Sequence, residues 1–298
     1  MSPPEDQALP EHRTTILSDL RETVLDLWRF RELLTQLAKR DIKIRYKQAA
    51  MGFGWALFMP LLVVCAGLIV KLALAAAGGH GVDRAAAGAL ALKGLGWSFF
   101  VGTVTFATNS LIMNINLVSK VYFPREVLPI ASLLAQGFDS AIASAAVCVA
   151  LPFLGLVWSP ALFWVPVLGV LLITLTAAAG LFLSCANLFF RDVKYIVQVL
   201  LTFGIFFTPV LFEASMLGPK GSAIMMLNPL APILEGLRLA AFRGHSLLLP
   251  LQETSAAGIS VTVWHPWYLG YAAIWAFGGL ALASVIFHRA EFAFAEYV

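Results

Sequence analysis

Long apolar runs bounded by charged or turn-forming residues dominate the chain, and their lengths predict helices that cross a membrane. A run of about 20 apolar residues, at about 1.5 Å rise per residue, matches the roughly 30 Å hydrocarbon core of a bilayer. Six spans are predicted, over 55–77, 96–118, 130–156, 161–190, 195–212 and 267–287. Between the last two, the apolar stretches within 222–242 are broken by Asn228-Pro229 and are too short to cross. They are expected to dip into the outer leaflet and return as two short re-entrant helices, covered there by protein or water. The fold class expected is an all-α membrane protein.

Ahead of the spans, residues 1–26 form a polar N-terminal segment and 27–54 an interfacial amphipathic helix and turn; 55–290 is the transmembrane domain and 291–298 a tail. On a helical wheel Arg29, Glu32, Gln36, Lys39, Lys43 and Lys47 share one arc, with Phe30, Leu33, Leu34, Leu37 and Ile44 opposite. Such a helix is suited to the headgroup layer, its basic face toward anionic lipid, or to docking a cytoplasmic partner. Asp41 and Arg45 intrude on the apolar arc, where their i,i+4 spacing predicts that they pair. Gly52-Phe53-Gly54 supplies the turn into the first span.

Composition agrees with the pattern. Of 298 residues 60% are hydrophobic and 12% charged, which excludes a soluble domain of this size. The net charge of +3 matters less than its placement: nine of the twenty Lys and Arg precede the first span, and fourteen fall in segments expected inside. That bias predicts cytoplasmic N and C termini. The basic residues adjoin a span, so no nucleic acid partner is expected. Cys65, Cys148 and Cys185 lie in apolar runs, and an odd number of such thiols argues against a disulfide framework or metal site. The acidic, polar start carries no pattern of a cleavable signal peptide.

Polar residues inside the runs are candidates for packing or for a polar path. The second span carries Thr103, Thr105, Thr108, Asn109, Ser110, Asn114 and Asn116, which either bond neighbouring helices or line a pathway. Asp139 is the one acid expected near mid-membrane, with Gln136, Ser140 and Ser144 placed to satisfy it. Lys71 is expected to snorkel to the headgroups; residues 78–95 and 246–265 are expected to be external loops. No GxxxxGK[ST] or GxGxxG is present, the five histidines are scattered, and no catalytic set or metal site is visible. A carrier driven by ion gradients needs several ionisable groups at mid-depth. Their scarcity favours energy supplied by another subunit.

Four ordered motifs carry a family resemblance. They are RDIKIRYKQAAMGFGWALFMP at 40–60, KVYFPREVLP at 120–129, FFRDVKYIVQVLLTFGIFFTPVLF at 189–212 and NPLAPILEGLR at 228–238, and the tail FAFAEYV is similar too. Together they resemble permeases of the ABC type-2 exporter family, most closely the branch that exports O-antigen, capsule or teichoic-acid polymers. The resemblance implies a homodimer in the bacterial inner membrane with two copies of a cytoplasmic ABC ATPase. ATP and Mg belong to that partner, and no cofactor to this chain. It implies a lipid-linked glycan as substrate, and ATPase coupling through Arg29, Lys39, Lys120, Tyr122, Arg125, Glu126, Arg191 and Asp192.

Sugar rings stack their CH faces on aromatics, so Trp55, Phe58, Phe99, Phe100, Phe106, Phe203, Phe206 and Phe207 are the candidates for a substrate channel. Arg40, Lys43, Arg45 and Lys47 are placed to admit a lipid pyrophosphate at headgroup level, and anchoring to anionic lipid explains the same four. Two alternatives remain open: a type-2 permease for a drug or small lipid, and a membrane-embedded glycosyl- or acyltransferase acting alone.

Overall fold

The computed structural model describes residues 16–47, 52, 54–78, 84–121, 123–254, 260–291 and 294. Helix α1 (Ile16–Arg29) and helix α2 (Arg31–Tyr46) precede the spans, separated by a break at Phe30. Helix therefore begins at Ile16, within the segment expected to be polar and to precede the first helix. Asp19 and Thr23 explain why: both are buried, Asp19 receives Arg289 Nε at 3.1 Å, and the Thr23 hydroxyl donates to the Asp19 carbonyl. A polar stretch thus finds its partners on the last helix of the chain.

All six polar-arc residues are exposed, as the wheel predicts. The apolar arc differs in two ways. Ile44 is 65% exposed, and Leu37 with Ala38 packs against the core beside Val127, Leu128 and Ala131. Helix α2 thus lies along the start of α6 (Val127–Ala150) and buries part of its apolar face, Leu37 above all, against protein. Gly52, at φ +51°, occupies the left-handed region that glycine adopts without strain.

The spanning helices are α3 (Gly54–Gly78), α4 (Arg84–Met113), α6, α7 (Trp164–Phe189) and a last helical run over Trp267–Ala290. A short helix, α5 (Ile115–Lys120), follows α4, and 3-10 turns extend α6 to Leu154 and open α7 from Pro160. Helix α8 (Val193–Gly204), with a 3-10 turn to Phe207, is shorter, at about 22 Å by its rise. Helices α9 (Gly218–Met225) and α10 (Leu230–Phe242) are bent by 112°. Among the described residues five helices are long and apolar enough to cross, six if the bent pair counts as one. This is an all-α multi-pass membrane protein.

The second span starts much earlier than expected. Residues 84–95, read as loop, are the first turns of α4 and mostly buried. Their Ala and Leu are strong helix formers, and their glycines serve close packing. At Gly96 a Cβ would sit 2.7 Å from Leu234 Cδ2, and at Gly88 it would strike the Phe242 ring, so α10 lies tight against α4 with every residue from Leu230 to Phe242 buried. The 246–265 segment is also more than a loop. It holds an antiparallel hairpin of β1 (Leu251–Thr254) and β2 (Ser260–Trp264). Fully buried Trp264 anchors the hairpin by donating its indole N–H to Leu247 O at 2.8 Å. Helix α11 (Trp267–Ala273), the π turn Ile274–Gly278 and α12 (Gly279–Ala290) return the chain to the end that carries α1.

Candidate functional site

Where α2 ends and α3 begins, a cavity of about 570 Å³ opens between α2, α3, α4 and α6. Arg45, Tyr46, Gln136 and Asp139 form its polar side; Trp55, Trp97 and Phe106 stand around them. The Asp139 carboxylate accepts from the Arg45 guanidinium and from the Tyr46 hydroxyl, the latter at 2.5 Å. Arg45 also donates to Gln136 Oε1 at 3.0 Å and stacks over the Phe106 ring at 4.1 Å. Burial, then the bond to Asp139, raises the Tyr46 phenol above its ordinary pKa. Gly102 leaves room for Gln136, whose Cδ would lie 2.6 Å from a Cβ there.

These contacts replace the partners expected from spacing. Arg45 reaches across to α6 instead of pairing with Asp41, which is held by Arg40 at 2.8 Å. Asp139 is satisfied from α2, whereas Gln136 bonds Arg45 and Ser140 only lines the cavity. Asp139 lies twelve residues beyond the start of α6, so α2 climbs about 18 Å along that helix.

The structure distributes the remaining candidates unevenly. Trp55 and Phe106 line the cavity, and Phe58 packs edge-on against Trp55 at 5.4 Å. Phe99 is 6% exposed in the core, so it cannot face a channel within one chain, and half-buried Phe100 leans on Trp97. Phe203, Phe206 and Phe207 are exposed on α8 and its following turn and do not line the cavity. Lys43 and Lys47 are exposed while Arg40 and Arg45 are paired, so two of the four cations meant for pyrophosphate have charge partners in the chain.

Arg29, Lys39, Lys120, Arg191 and Asp192 are exposed and available to a partner; Tyr122 falls outside the described residues. Arg125 and Glu126 turn inward instead. Arg125 donates to the Glu291 carbonyl at 2.9 Å and lies over the Phe294 ring, and Glu126 is 2% exposed. Burial, then the neighbouring Glu291 charge, pushes the Glu126 carboxyl up to about 7. Polar residues of the second span mostly bond locally: Thr108 and Asn109 of α4, and Asn114 just after it, each bond a carbonyl one turn back. Asn187 of α7 ties α4 in by donating to Thr108 O.

A second polar constellation, at the opposite end, has no counterpart in the sequence reading. Arg238 of α10 clasps Glu235 at 2.5 Å and Glu213 at 3.4 Å, Lys71 meets Glu213 at 3.2 Å, and Lys93 faces Glu235 at 3.8 Å. Lys71 therefore turns into protein rather than toward headgroups, and Asp139 is not the only acid within the bundle. The i,i+3 pair Glu235/Arg238 inside an apolar stretch was the available signal.

Comparison with known proteins gives a consistent result. A sequence profile of the ABC-2 type transporter family matches residues 32–242. The chain is 28% identical over 208 residues to an O-antigen export system permease protein RfbA from Klebsiella pneumoniae, covering 68% of this chain and 77% of that one. It is 28% identical over 251 residues to a protein of the same description from Myxococcus xanthus, covering 81% of this chain and 92% of that one.

Proposed function

The chain belongs to the ABC-2 type transporter family, and from that premise we propose that it is the permease of an exporter for a lipid-linked polysaccharide of O-antigen, capsule or teichoic-acid type. In this reading two copies associate in the bacterial inner membrane, both termini are cytoplasmic, and a separate ABC ATPase binds ATP and Mg. The chain catalyses no reaction; it supplies the path.

The observation that carries the reading is the cavity beside Trp55, Trp97 and Phe106. Its volume lies within the range of small-ligand sites, and its aromatic walls with a hydroxyl, an amide and a carboxylate suit sugar rings. Arg45 and Asp139 neutralise each other, so the cavity suits the glycan rather than the pyrophosphate. The phosphates fall to the exposed Lys43 and Lys47 on the outer arc of α2. The re-entrant pair α9–α10 at the opposite end covers the exit and must yield for the polymer to leave.

The test is transport in inverted membrane vesicles holding the chain with its cognate ATPase and radiolabelled lipid-linked glycan. ATP-dependent protection of the label from an external glycosidase is expected. Protection of a small amphiphile but not of the glycan would move the chain to the small-lipid permeases. Turnover without the ATPase would overturn the reading.

A further inference from the structure

Glu126, His288 and Glu291 converge from the residue before α6, the last turn of α12 and the residue after it, and one ligand atom from each lies within 4.8 Å of the others. Glu126 is buried, and its Oε1 has no hydrogen-bond partner among the described residues. His288 Nδ1 lies 3.7 Å from that oxygen, too long for a hydrogen bond. That distance is close to the separation of about 3.4 Å between two donors held tetrahedrally at about 2.1 Å from one ion. The other imidazole nitrogen, Nε2, lies 3.5 Å from the Glu22 carboxylate on α1. A carboxylate behind an imidazole is how metal-bound histidines are oriented. The Arg125 backbone N–H fixes Glu291 from behind through Oε1 at 3.1 Å.

We propose that Glu126, His288 and Glu291 bind a divalent transition-metal ion, Zn²⁺ in the first instance, with Glu22 as the residue that positions His288. One imidazole and two carboxylates form a ligand set that Zn²⁺ takes with water in the fourth place. The ion ties the end of α12 to the start of α6 and to the α5–α6 connection. The inference is independent of what the permease carries.

The experiment is metal analysis of the full-length protein in detergent, with any affinity tag removed, after equilibration with Zn²⁺ and desalting. About one Zn²⁺ per chain is expected, falling to background in Glu126→Gln and His288→Asn, and Co²⁺ in its place should give visible absorption that both variants lose. Glu22→Gln, outside the ligand set, should weaken binding roughly 10- to 100-fold without abolishing it. Should the ligand variants aggregate, that affinity loss reads the same site. Wild-type protein retaining neither ion, or retention unchanged in all three variants, would overturn the proposal.

Discussion

Lys93 and Glu235 face each other at 3.8 Å with side chains 1% and 0% exposed, joining α4 to α10. Neither charge is isolated: Arg238 clasps the same carboxylate, Glu213 receives Arg238 and Lys71, and Lys93 Nζ also donates to Phe212 O at 3.4 Å. Three cations share two carboxylates, and together they tie α10 and the segment before α9 to α3 and α4.

Glu235→Ala leaves Arg238 and Lys93 buried without their shared carboxylate, which costs about 3–5 kcal/mol. A marked fall in the thermal midpoint of the detergent-solubilised protein is expected. Lys93→Met combined with Glu235→Ala should recover part of that loss, because one orphaned charge goes with its partner. A double variant as unstable as the sum of the singles would deny the coupling.

At the other end, Asp139→Asn removes the carboxylate that holds both Arg45 and Tyr46. Amides of α2 near Tyr46 should exchange hydrogen faster, while those around Leu37, packed in the core, keep their protection. Arg45→Lys should loosen the same turn less, because lysine keeps the charge but cannot reach Gln136 and Asp139 together while stacking on Phe106. Equal exchange in wild type and Asp139→Asn would show that α2 is held by its apolar face alone.

The exposed arc of α2 was legible because helical periodicity is local: residues 29 to 47 carry it themselves. What covers the other arc was not, since α6 lies some ninety residues on, and an apolar face looks the same whether lipid or protein meets it. Arg45 illustrates the cost of reasoning from spacing alone. Asp41 sat at a suitable interval, but Arg40 took it and Asp139 offered a more buried partner. Lys93 was hidden for another reason: a lysine among glycines resembles a loop, although the alanines around it favour helix, and its partner sits on α10. The cavity itself was half visible. Trp55 and Phe106 were singled out for their aromatic rings, whereas Trp97 and Tyr46 have nothing in sequence to separate them from ordinary packing residues.

If the cavity meets the glycan, Trp55→Ala and Phe106→Ala should each lower export of labelled polymer several-fold while ATPase binding is unchanged, since stacking on one aromatic contributes about 1 kcal/mol or more. Phe99→Leu reports on stability instead, because Phe99 packs in the core. Phe203 and Phe207 present 58% and 71% of their surface outward, and a second copy of the chain is the occupant the homodimer reading gives that face. Phe203→Cys should then form a crosslink between copies in native membranes, absent when the copies are diluted into detergent.

The coupling residues separate into two groups with different expected phenotypes. Lys120 and Arg191 are exposed, so Lys120→Glu and Arg191→Glu should leave the folding stability within about 0.5 kcal/mol of wild type. If these residues meet the ATPase, reversing them should reduce its copurification and ATP-dependent export together. Arg125→Glu should act differently. Arg125 holds the Glu291 carbonyl, reaches Val118 O at 3.5 Å and covers Phe294, and a carboxylate in its place would stand beside Glu126 and Glu291. The chain end around Glu291 should detach and become sensitive to protease, and export should fall because the α5–α6 connection has lost its support. Protease resistance equal to wild type together with lost export would return Arg125 to the surface and to direct contact with the ATPase.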